Sequence, residues 1–65
     1  MASLKYDKTA KALYVQLRRG KVAETEPLND SVFVDLDRGG RLIGIEVVLP
    51  KDLPQEIVSR IAAAA

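Results

Sequence analysis

Cysteine, histidine and tryptophan are all missing from the 65-residue chain. Without cysteine there is no disulfide framework and no thiolate nucleophile. Without histidine the commonest zinc ligand and the commonest general base are gone as well. A large charge of either sign is also missing, since ten Lys and Arg against nine Asp and Glu leave a net charge of +1. A balance so even lacks the electrostatic footprint of a typical nucleic-acid binder, and a nucleic-acid partner is not expected. Long apolar runs are absent: the best of them, residues 43–49, is interrupted by Gly44 and Glu46, so no membrane span is expected. No apolar signal region follows Met1, which makes the cytoplasm the expected location.

What is present points to a folded domain, because 48% of the residues are hydrophobic. Residues 1–65 form a single domain on length alone. A chain of this size buries only about 60% of the surface its unfolded form exposes. Small domains compensate with disulfides, a structural metal or self-association, and only the last suits this composition. A homodimer is therefore expected.

Alternation of period two dominates the chain. Leu13, Val15 and Leu17 share one face against Tyr14 and Gln16. Val32, Val34 and Leu36 alternate with Phe33, Asp35 and Asp37, and Ile43, Ile45 and Val47 alternate with Gly44, Glu46 and Val48. Residues 4–6 predict a short first strand and residues 21–25 a polar edge strand that Pro27 terminates. Register parity predicts an even loop: a two-residue Gly39-Gly40 type I′ turn with positive φ at both glycines, with a four-residue loop that keeps the same faces as the alternative. That register sets Leu36 against Ile43, Val34 against Ile45 and Val32 against Val47. After Pro50 the period changes. Asp52 as N-cap with Gln55 three residues on predicts a helix over about 53–63, with Leu53, Ile57, Val58 and Ile61 on one side. The expected fold is α+β: an antiparallel β-meander of four or five strands over about 3–49, with one C-terminal helix.

Tyr6-Asp7 followed by residues 11–17, KALYVQL, resembles the Y-D-x-x-x-D-x-L-Y-[IV]-x-L opening of a family of short prokaryotic proteins, domain of unknown function 2283. Residues 21–25 are similar to its middle segment. Residues 34–46 resemble its D-x-D-x-x-G and G-I-E signature. Together the motifs cover roughly residues 4–49. Lys11 departs from the family's usual acidic residue, which puts in doubt any ligand role carried by that position, and Gly39 stands where Asp or Asn is common. The resemblance implies a compact β-rich fold with no established activity, cofactor or catalytic residue. Relatives often sit beside genes resembling small toxin-like proteins, so it also implies an antitoxin-like role as one expectation.

Three surface groups have chemistry to weigh. Asp35, Asp37 and Glu46 fall on the face opposite the core in the even-loop register, and grouped oxygens of this kind suit Mg²⁺ or Ca²⁺. An open sheet face has no cleft to desolvate them, so solvated carboxylates balanced by Arg18, Arg38 or Arg41 are the simpler account. Those arginines with Arg19 and Lys21 lie near turns, where phosphate contact is the alternative to plain solubility. Tyr14, Phe33, Leu42 and Val48 make four apolar residues on the supposedly solvated face, which fits a contact surface. No catalytic residue and no cofactor is expected, and the chain is not expected to be an enzyme. The expected task is that of a homodimeric interaction or accessory module whose protein partner the residues do not name. Nucleic-acid binding and carboxylate-based metal binding are the alternatives.

Overall fold

The computed structural model describes residues 2–65. Five strands form one antiparallel sheet: β1 (Ser3–Asp7), β2 (Ala12–Gln16), β3 (Glu24–Pro27), β4 (Val32–Leu36) and β5 (Leu42–Val48), followed by α1 (Gln55–Ala64). The antiparallel sheet and C-terminal helix that the alternation predicts are both present. The order across the sheet is β1-β2-β5-β4-β3, so the long β5 lies at the centre. Residues 17–23 carry the chain from β2 across the ends of β5 and β4 to the far edge, and every other strand connection is a hairpin.

Each hairpin turn is tied by one Asx side chain. Asp7 Oδ1 accepts from the backbone N–H of Thr9 and Ala10, Asn29 Oδ1 from Ser31 and Val32, and Asp37 Oδ1 from Gly39 and Arg41. This is the ordinary advantage of Asp and Asn in turns. Lys11 closes the first turn with φ +52, a left-handed conformation that Asp and Asn tolerate better than lysine. The acidic residue usual at that position in the resembled family thus suits the backbone, with no ligand required to explain it.

The β4–β5 hairpin corrects the even-loop expectation. Gly40 N–H donates to the Asp37 carbonyl at 3.0 Å and Asp37 N–H to the Arg41 carbonyl at 2.9 Å. The loop therefore holds three residues, Arg38 to Gly40, and Gly40 alone has the left-handed φ, +80. A type I turn followed by one left-handed residue is the usual three-residue solution. An odd loop would turn the wrong face inward, but a bulge restores the parity. Leu36 lies opposite Leu42 and Asp35 opposite Gly44, which leaves Ile43 as the extra residue. Leu36 does not meet Ile43. Beyond the bulge Val34–Ile45 and Val32–Val47 pair as expected. Gly40→Val should cost about 1–3 kcal/mol through backbone strain, since nothing crowds a side chain there. Chemical denaturation measures it, and Gly39→Val serves as the milder comparison.

Two other boundaries move. The edge strand begins at Glu24 and includes Pro27, opposite Phe33, where proline's missing donor faces no neighbour. The helix begins at Gln55 with Pro54 in the N-cap position and no side-chain cap, so Asp52 does not cap it and Leu53 precedes it. Pro54 suits that place because its own carbonyl receives the N–H of Ile57 and Val58. The helix meets the sheet only along β1. It therefore leaves β5, β4 and β3 uncovered.

Candidate interaction surfaces

Residues directly opposite one another in antiparallel strands share a face. On one face two apolar rows cross the sheet: Leu4, Val15, Ile45 and Val34, then Tyr6, Leu13, Val47 and Val32. The first row runs out onto Glu26 of the edge strand. Seven of these eight side chains are half-buried and Leu4 is 40% exposed, although most lie in mid-sheet. Among the described hydrophobic residues only Ala12 and Ile43 are buried, each at 2% exposure. Ile43 owes its burial to the β2–β3 connection, since a Cβ on Gly20 would fall 2.7 Å from its Cδ1. The apolar face lacks a second layer.

The opposite face is polar. One row reads Lys5, Tyr14, Glu46, Phe33 and Pro27, and the next Ser3, Gln16, Gly44, Asp35 and Thr25. Tyr14 leans diagonally across Gly44, and its hydroxyl donates to Asp35 Oδ2 at 2.9 Å. Thr25 Oγ1 donates to Asp35 Oδ1 at 2.6 Å. Gly44 is the lane this arrangement needs, because a side chain there would stand where the tyrosine ring lies. Period-two parity puts Tyr14, Gly44 and Asp35 on one face, but Gly44 comes to lie between the other two only because β2 pairs with β5. Thr25 gave no comparable signal, because its place opposite Asp35 rests on the register of the β3–β4 hairpin, which no alternation in this polar strand fixes.

Partial burial raises the Tyr14 hydroxyl above its ordinary pKa of 10.0, helped by the hydrogen bond to Asp35 and the charges of Asp35 and Glu46. A raised folded value stabilises the protonated form. The contribution is fully present below pH 10.0 and is lost as pH rises through the folded value. Alkaline melting should therefore fall off above pH 10 in the parent and less so in Tyr14→Phe. At neutral pH the phenylalanine variant should lose about 0.5–1.5 kcal/mol with the hydrogen bond.

The sequence-predicted site residues separate on this framework. Asp35 and Glu46 share the polar face, both near the Tyr14 hydroxyl. Asp37 lies past the bulge, engaged by the turn and by Arg41 Nε at 3.2 Å. The Arg41 and Gly39 N–H groups hold its carboxyl below the usual range, the Arg41 hydrogen bond foremost. Among the described residues no three His, Cys, Asp or Glu gather as a metal site. Tyr14, Phe33 and Val48 fall on the polar face, half-buried and interleaved with Glu46 and Asp35. The bulge moves Leu42: opposite Leu36, it joins the side of Val32 and Val34.

No helix among the described residues is long and apolar enough to cross a membrane. The molecule is a one-layer antiparallel sheet with an apolar and a polar face and a helix at one edge. Residues 3–48 match the family model described as "Protein of unknown function (DUF2283)", and the chain belongs to that family. No curated protein and no solved structure matches it.

Proposed function

We propose that this chain works, without catalysis, as a homodimeric interaction module of the prokaryotic cytoplasm, its two copies packed apolar face to apolar face. The observation that carries the reading is the missing second layer. The molecule measures 39 × 25 × 15 Å, which is one sheet thick. Its accessible surface is 5042 Å², where a compact monomer of 7.1 kDa exposes about 4,100 Å². The excess, on the order of 900 Å², is close to the roughly 800 Å² that each partner buries in a standard interface. Face-to-face sheet packing about 10 Å apart would bury both apolar rows of each copy.

The edges favour this geometry over strand addition. Glu24, Glu26 and Pro27 occupy the β3 edge, a common defence against edge-to-edge pairing, and the helix sits against β1. An accessory or antitoxin-like role would need a further protein, for which the polar face with Tyr14, Phe33 and Val48 stays free after dimerisation. The unfolding midpoint tests the reading, since folding coupled to association makes it rise with protein concentration. A midpoint constant over a 100-fold concentration range would count against the dimer.

A further inference from the structure

We propose that one end of the sheet is a docking surface for the sugar–phosphate backbone of nucleic acid. In sequence the cations concerned are scattered between residues 18 and 41, and the near-neutral total conceals them. The strand order gathers them. The end of β2, the start of β5, the end of β4 and the start of β3 stand side by side at that end. Arg18 and Arg19 follow β2, Lys21 lies in the crossing connection, and Arg38 and Arg41 sit in and beside the β4–β5 turn. With strands about 4.8 Å apart, the row spans on the order of 14 Å.

Lys21, Arg38 and Arg41 line one open groove between the connection and the turn, and Arg18 and Arg19 line the next with Gln16 and Ser3. The acidic groups at or next to this end are Glu24, Asp35 and Asp37; Asp37 is engaged by the turn and by Arg41, and Asp35 by Tyr14 and Thr25. Arg18, Arg19, Lys21 and Arg38 make no ion pair among the described residues. The other end of the sheet mixes signs evenly, with Lys8, Lys11 and Lys51 against Asp7, Asp30 and Asp52. Half the chain's cations thus stand on one rim.

The arrangement selects its ligand. A small phosphate compound needs cations converging on an enclosed pocket, whereas these are spread along an open rim and suit a repeating anion. Tyr6, Tyr14 and Phe33 all lie elsewhere, so no base stacks at the rim and binding is independent of sequence. The proposal stands apart from the dimer reading, because the rim belongs to each chain.

Fluorescence anisotropy with labelled DNA of about 20 nucleotides, single-stranded and duplex, tests it across a salt series. With four phosphate contacts, affinity should fall roughly 100-fold between about 50 and 200 mM salt. The double variant Arg18→Ala/Arg19→Ala should reduce the salt slope by about two. Arg38→Glu should weaken binding further, and Lys8→Ala/Lys51→Ala should leave it unchanged. Circular dichroism establishes that each variant is folded. No binding by the folded parent at low salt would overturn the proposal. So would equal loss in the Lys8/Lys51 variant, or polyglutamate competing as well as DNA.

Discussion

Gly44→Val should destabilise the chain by about 2–4 kcal/mol, the largest single-site loss expected on the polar face. A Cβ at this position would fall 2.5 Å from Tyr14 Cζ and 2.9 Å from the Val15 carbonyl oxygen. The tyrosine can rotate away, but its hydroxyl then leaves Asp35, one of whose oxygens loses its donor. The Val15 carbonyl cannot move, because β2 is held between β1 and β5. Most of the penalty is therefore steric, and Gly44→Ala should already show much of it. A cycle with Tyr14→Ala separates the two parts: the pair should be less damaging than the sum, and the shortfall measures the tyrosine's share. Strict additivity would mean that the ring does not depend on the glycine.

Val34→Asp should abolish self-association and leave either an unfolded chain or a weakly folded monomer. Val34 sits between Ile45 of the central strand and Glu26 of the edge, within an apolar row. In a two-fold interface each substitution occurs twice, so two carboxylates would be brought into the desolvated layer. An uncompensated buried charge costs about 3–5 kcal/mol. In a free monomer the same side chain is only half-buried, and the carboxylate would remain hydrated at much smaller cost. The size of the loss therefore distinguishes an interface from an open face. A substitution off that face, such as Lys5→Ala, should leave the mass of the particle unchanged.

Much of this fold was legible because alternation is a local signal. Leu13-Tyr14-Val15 and Val32-Phe33-Val34 assign their own faces wherever the strands lie. The β4–β5 register was half legible for the same reason: facing rows fix parity, but parity is satisfied equally by an even loop or by an odd loop with a bulge. Asp37 decides between them, by gathering the Gly39 and Arg41 N–H groups into a three-residue loop. Leu42 changes sides as a consequence. The helix start was misplaced because Asp52 and Gln55 have the spacing of a capping box, while Pro54 fits an N-cap backbone with φ −57 and ψ 140. The strand order was not legible, since no local pattern tells β2 to pair with β5 rather than β3. That order decides which cations share a rim and that Tyr14 reaches Asp35.

Sedimentation equilibrium of the parent protein tests the central claim most directly. From about 1 to about 300 µM, a chain that completes its missing layer with a second copy should sediment at twice 7.1 kDa, dissociating only toward the low end. A particle of 7.1 kDa throughout that range, unfolding cooperatively at a midpoint independent of concentration, would contradict it.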